Sequence, residues 1–401
     1  MYRKLFSQVN IYILMWLVVM LNESMSLVPD SVSVMILFVL FAWSLILTKQ
    51  VAREYSNIPF IRGLNILFLM FSIYGLLRVV GGEQLTIWIG SGKEISSRAY
   101  LIAHWSSLLP IYGFIYYSAK GQLTQKSIMI WTIVLILATT INYRYEETRM
   151  LERLVAGTLQ DGVTNNQGYK FLALLPLLVF YKDKPLFQYA GIAYVLVFVF
   201  MGMKRGAILV GAICLLIFIR HSIKDSSSTK KTMIILLSVA LFVAGFYLVS
   251  WYMENNAYFM SRIDDTISGN SSGRDTIYKG LLDYFTTKTN AFQIIFGLGA
   301  DGTFKAIGQA AHNDWIEILI DCGVIGFFLY VSYWWKSVTT LRMSKKVNES
   351  LYLCLLLFFV TQFLKTFFSM SINDIPLSST MAIGYCLYRF NDYNYLKNVQ
   401  D

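Results

Sequence analysis

The chain has 401 residues, of which 56% are hydrophobic, 16% aromatic and only 14% charged, and it carries a formal net charge of +10. Soluble proteins carry roughly a quarter charged residues, so this balance excludes the soluble globular classes and points to an integral membrane protein. Continuous apolar runs of about 16–22 residues suit helices crossing about 30 Å of hydrocarbon and exclude an outer-membrane barrel, whose strands are short and alternating.

In chain order, about twelve spans are predicted, near 8–22, 31–48, 60–79, 100–118, 127–142, 167–181, 186–202, 206–220, 232–250, 314–335, 351–369 and 377–390. The first is cut short by Asn22 and Glu23, and no small-residue cleavage site follows it, so it reads as an uncleaved span. Lys and Arg placement orients the set. With both termini cytoplasmic, the clusters Lys49/Arg53/Arg62, Arg220/Lys224/Lys230/Lys231 and Lys336/Arg342/Lys345/Lys346 all fall inside. The positive charge thus reflects topology, and nucleic-acid binding is not needed to explain it. Cys214, Cys322, Cys354 and Cys386 all fall within spans and read as apolar packing residues. No cysteine pair, His-Glu-x-x-His motif or Gly-rich phosphate loop is present, so neither a metal nor a cofactor is expected.

The mixed-charge run Tyr143–Arg153 reads as a solvated helical face. Lys204-Arg205-Gly206 is different, because it lies on the outer side, where cations are disfavoured. Cations there suggest an anion to hold, or else interfacial side chains snorkelling to water. Residues 251–312 form a long outer loop between spans nine and ten. Within it, Ser272 and Asp275 make a plausible capping pair, and Ile277, Leu281, Leu282 and Phe285 follow a helical period. A surface-lying amphipathic helix is therefore expected over about 274–287, with Arg274 near its start and able to meet an anion. Gly297 and Gly299 permit a tight turn back towards the bilayer.

His312-Asn313-Asp314-Trp315 then runs into the tenth span, setting a titratable base where a helix meets water. Buried charges follow. Glu317 and Asp321 share one face of span ten, and Lys365 lies in span eleven. Glu317 and Lys365 each sit about 6 Å below the outer surface at 1.5 Å per residue, so a Glu317–Lys365 pair is expected.

Taken together, Arg205-Gly206-Ala207, Ser272-Gly273-Arg274, Gly297-Leu298-Gly299 and His312-Asn313 followed by Glu317 and Gly323-Val324-Ile325-Gly326 resemble the Wzy-type O-antigen polymerase and O-antigen ligase superfamily. The resemblance covers about residues 200–330. It implies an all-α integral membrane protein, GT-C-like, with about 12 transmembrane helices and one long periplasmic loop, in the bacterial inner membrane. It further implies metal-independent, inverting glycosyl transfer from undecaprenyl diphosphate for lipopolysaccharide O-antigen, capsular or exopolysaccharide synthesis. Arg205 and Arg274 match the arginines that help hold the diphosphate, and His312 matches the base that deprotonates the acceptor hydroxyl. Asn313, Glu317 and Lys365 are expected to support them. A polymerase joins lipid-linked repeat units, alongside a possible chain-length regulator, whereas a ligase delivers polymer to lipid A-core; the polymerase is favoured. A transporter or flippase for lipid-linked oligosaccharide is the alternative from another class, and the lack of a repeat between the two halves of the sequence speaks against it.

Overall fold

The computed structural model describes residues 7–82, 85–86, 94–156, 167–224, 227–255, 260, 264 and 273–400. Apart from a two-residue antiparallel ladder, Leu85–Thr86 with Glu94–Ile95, the described elements are helical. The first half comprises α1 (Gln8–Met25), α2 (Asp30–Glu54), α3 (Pro59–Gly81), α4 (Ala99–Ala119), α5 (Gln125–Val155), the short α6 (Gln167–Leu172) and α7 (Leu175–Leu178), and α8 (Pro185–Met201). The second half comprises α9 (Arg205–Lys224), α10 (Ser228–Asn255), α11 (Arg274–Thr287), α12 (Ala291–Phe296), α13 (Gly302–Ile307), α14 (Asp314–Ser344), α15 (Glu349–Phe368) and α16 (Leu377–Gln400).

Among the described residues, seven helices are long and apolar enough to cross a membrane: α1, α2, α3, α5, α9, α14 and α15. The protein is thus a multi-pass membrane protein. Each coincides with one of the predicted spans. The remaining five predicted spans are helical over their described residues, and two of them depart from a plain apolar span for identifiable reasons. The stretch 167–181 is split into α6, α7 and a 3-10 turn around Pro176, which supplies no amide proton to a continuing helix. The helix α4 carries His104, Ser106, Ser107 and Pro110 among its apolar residues. Phe38, Ile46, Leu216 and Trp335 present large apolar side chains outward, as a surface solvated by lipid requires.

Inside, α4 packs against α16 and α2, α3 against α14, and α9 against α15. Lipid tails are as apolar as the helices, so packing and interhelical hydrogen bonds hold such a bundle together. Gly63 lets α3 approach α14, since a Cβ there would lie 3.2 Å from the Tyr333 Cα. The Tyr12 and Ser44 hydroxyls join α1 to α2 at 2.7 Å. The four cysteines are buried and free.

The helix over Arg274–Thr287 buries Leu281 and Phe285 against Ala311 and Ile320, in a small second core beside the start of α14. Gly273 precedes it without a side-chain cap, and the expected Ser272 cap falls outside the described residues. The run Tyr143–Arg153 lies at the end of α5, which at 31 residues spans about 46 Å, more than the hydrocarbon thickness. Its charges pair along the helix, Arg144 with Glu147 at 2.8 Å and Arg149 with Glu146 at 3.6 Å, as a solvated face does.

Candidate functional site

The geometry around His312 is built by its neighbours. Asn313 is the N-cap of α14, its side-chain oxygen accepting from the Trp315 and Ile316 amides at 2.9 and 3.3 Å. Such a cap contributes about 1 kcal/mol. Its greater consequence here is to set where the helix begins. His312 itself adopts φ 54°, the left-handed region, which costs a residue with a side chain on the order of 1–3 kcal/mol. That conformation persists because both flanks are anchored.

On one flank, the Ala311 amide donates to Glu317 Oε2 at 2.8 Å, while the Thr303 hydroxyl donates to Glu317 Oε1 at 2.9 Å. On the other, the Asp314 carboxylate accepts from the Ser371 amide at 2.9 Å, the Ile372 amide at 3.2 Å and the Tyr330 hydroxyl at 2.8 Å. Two buried carboxylates therefore hold the backbone either side of the histidine. The His312 ring remains exposed to solvent, yet the surrounding chain strips part of its hydration. That desolvation, followed by the positive charges of Lys204 and Arg274, holds its pKa below the ordinary 6.5. At neutral pH the ring is uncharged and able to accept a proton.

Gly297 and Gly299 have a role beyond a turn. The expected continuous tenth span is interrupted: α14 breaks at Gly323, with φ 66° and ψ −167°. The carbonyls freed by the break are taken by the loop, the Leu298 amide donating to Ile320 O at 2.8 Å and the Gly299 amide to Asp321 O at 2.9 Å. Within a membrane an unmet carbonyl is costly, so the loop and the helix break require each other. Contact is backbone to backbone. A Cβ on Gly297 would lie 2.2 Å from Asp321 O, and one on Gly323 2.4 Å from Ile295 O. The Asp301–Arg78 ion pair and the Tyr74 hydroxyl bonded to Phe296 O fasten the same loop to α3.

The cationic residues gather at the neighbouring helix ends. Arg205 opens α9 directly after Lys204 and the left-handed Met203, φ 51°. The following Gly206 leaves no room for a side chain, since a Cβ would lie 2.6 Å from Phe368 Cβ and closer still to the Tyr169 hydroxyl. Arg274 donates from Nη2 to Phe368 O at 3.0 Å, meeting the carbonyl end of α15. The Trp315 indole donates to Thr366 Oγ1 at 2.9 Å and its ring stacks on Phe367. The starts of α9, α11 and α14 thus converge on the end of α15.

The expected Glu317–Lys365 pair does not form. Lys365 Nζ donates to Asp374 Oδ2 at 2.6 Å and Asp374 O at 2.8 Å, and it lies over the Tyr169 ring. The reason is local. The chain folds back over the end of α15 and brings Asp374 to the amine, while both Glu317 oxygens are already occupied by Thr303 and Ala311. Asp374→Ala is expected to destabilise the protein by about 1–3 kcal/mol, because it strips an ammonium that is only 1% exposed of its charged acceptor. The melting temperature of the detergent-solubilised variant checks this, and one matching wild type would show that the pair is dispensable.

Sequence reasoning missed Asp314, Asp374, the Arg78–Asp301 pair and the break at Gly323. Asp314 had a signal, an acidic residue following a helix N-cap, but two of its three partners, the Ser371 and Ile372 amides, lie more than fifty residues away in the chain. His104 is buried, its Nδ1 on Tyr100 O at 2.9 Å and its ring on Phe71, which makes it a packing residue. His221 meets Glu349 at 3.3 Å at the far end of α9 from Arg205.

Compared with known proteins, residues 190–331 match the family model described as O-antigen ligase. The matched segment contains Arg205, Arg274, Gly297, His312, Asn313, Glu317 and Gly323, while Lys365 and the whole of the chain before residue 190 lie outside it. No curated protein matches the chain.

Proposed function

We propose, from the O-antigen ligase domain carried by residues 190–331, that this chain of the O-antigen ligase and polymerase superfamily polymerises undecaprenyl-diphosphate-linked repeat units at the periplasmic face of the bacterial inner membrane. The observation that carries the reading is the convergence of the starts of α9, α11 and α14, which bring Arg205, Arg274 and His312 to the end of α15. The twelve-span topology with both termini cytoplasmic belongs to the same proposal, and it sets His312, Arg205 and Arg274 outside.

In the reaction the acceptor hydroxyl attacks the anomeric carbon of the donor glycan. Its proton passes to His312 as the new C–O bond forms. The bond to the diphosphate oxygen breaks, and the electron pair leaves with undecaprenyl diphosphate. Arg205 and Arg274 hold that departing anion, a task fixed guanidinium groups perform bidentately, and no metal ion is required. A single displacement inverts the anomeric configuration. Asn313 and Glu317 position His312, while Lys365 supports the end of α15 on which Arg274 rests.

The second reading, transfer of finished polymer to lipid A-core, is favoured by the description of the matched family as a ligase. The polymerase reading is preferred from the sequence, whose N-terminal half carries no recognisable pattern beyond its series of spans, as in a divergent group of enzymes. A host carrying a clean deletion separates them. Lipid A-core bearing one repeat unit marks a polymerase, whereas full-length polymer retained on its lipid carrier marks a ligase.

The pH dependence follows from the sign of the His312 shift. A base with a lowered pKa stays active as pH falls until that lowered value is reached, so the acid limb of the rate profile is expected below 6.5. Lys204→Ala removes a charge that opposes protonation, so it moves the limb upward while desolvation retains part of the shift. An acid limb unmoved in Lys204→Ala would separate this residue from the base.

A further inference from the structure

The largest cavity described in the protein, about 810 Å³, lies away from the cationic cluster, between α1, α2, α4 and the segment leading into α16. Its lining includes Trp16, Asn22, Ser33, Ser106, Lys170 and Asn373. Trp16 lies nine residues from the outer end of α1, so the cavity reaches about 13 Å into the bundle at 1.5 Å per residue. Polar walls at membrane depth persist where water or a polar ligand fills the space.

Charge narrows the ligand. Lys170 lies 3.8 Å from Glu23, and Asp30 also lines the space, so the walls carry no excess of positive charge to hold a diphosphate. Amides and hydroxyls suit a neutral polyol. The volume is that of an ordinary small-ligand site. Ala99, Ala103 and Asn373 line this cavity and also a smaller one of about 240 Å³, which extends to Ala310, Asp314 and Glu317, residues that flank His312 in the chain.

We infer that this vestibule is the binding site of the acceptor glycan, so that choice of acceptor resides in α1, α2, α4 and the segment leading into α16, outside residues 190–331. The inference rests on the glycosyl-transfer reading. The donor diphosphate is held on one side of His312 and the acceptor sugars approach from the other.

The test uses Ser33→Cys on α2 and Ser106→Cys on α4, both in the lining of the vestibule, since the four native cysteines are buried. A membrane-impermeant sulfonated maleimide is applied to intact cells and then to the purified protein in liposomes. Both cysteines are expected to react, and lipid-free oligosaccharide released from the host's surface glycan is expected to slow the reaction several-fold. Protection is expected to persist when His312→Ala is added, because binding does not need the base. Failure of either cysteine to react, or an unchanged rate with oligosaccharide, overturns the inference. So does protection by glycerophosphoethanolamine alone, which would mark a lipid-headgroup site. If His312→Ala still elongates glycan while protection persists, the catalytic reading fails and the vestibule stands. If His312→Ala is inactive and protection is absent, the vestibule alone fails.

Discussion

His312→Ala is expected to abolish long-chain surface glycan in a deletion host while leaving the level of protein in the membrane unchanged. General-base catalysis contributes about 10²–10⁴-fold, and no other described imidazole is placed to replace it. His104 is buried against Tyr100 and Phe71, and His221 sits with Glu349 at the far end of α9. The ring is solvent-exposed, so removing it empties no core. Truncation also allows position 312 to be replaced without disturbing the Asn313 cap or the Glu317–Ala311 bond, both of which use other atoms. Loss of activity with normal abundance therefore reads as chemistry. Restored long-chain glycan in His312→Ala would remove the base from the mechanism, and a vanished protein would make the residue structural.

The second large effect is expected at the helix break. Gly323→Ala and Gly297→Ala each place a methyl group within 2.4 Å of backbone that cannot rotate away, at positions with φ 66° and 81°. Left-handed backbone costs an alanine about 1–2 kcal/mol. The clash adds to this by forcing the loop off the carbonyls of Ile320 and Asp321, so the total reaches about 4 kcal/mol or more, a size that marks a specific packing failure. The expected outcome is loss of the folded protein from the membrane, read by abundance and by thermal melting in detergent. Gly245→Ala, inside α10 with no positive φ and nothing within 4 Å of the added Cβ, serves as the comparison. Equal stability of wild type and Gly323→Ala would contradict the backbone-to-backbone docking.

Much of this was legible in the chain. Apolar runs located the long helices because the bilayer imposes both length and composition, and those two properties are local. The helix over Arg274–Thr287 was legible for the same reason, through its periodic apolar residues. What failed was long-range. Glu317 and Lys365 share a depth, and depth is readable from sequence, but azimuth about the helix and the path of a returning segment are not. Asp374 reached Lys365 because residues 369–376 fold over the end of α15, which no periodicity announces. The paired glycines show a subtler limit. Gly297 suggested a turn and Gly323 only a motif position, yet the reason for both is that each glycine touches the backbone segment that carries the other. The vestibule was invisible to sequence reading, since its polar residues are scattered over α1, α2, α4 and two further segments.

The most direct test of the central claim is reconstitution of the purified protein in liposomes with undecaprenyl-diphosphate-linked repeat units as the sole glycan. The expected result is elongation of the lipid-linked chain, with one undecaprenyl diphosphate released for each bond formed and neither product seen with His312→Ala. Repeat units that cross the bilayer unjoined, or that are transferred only after lipid A-core is added, would contradict polymerisation by this chain.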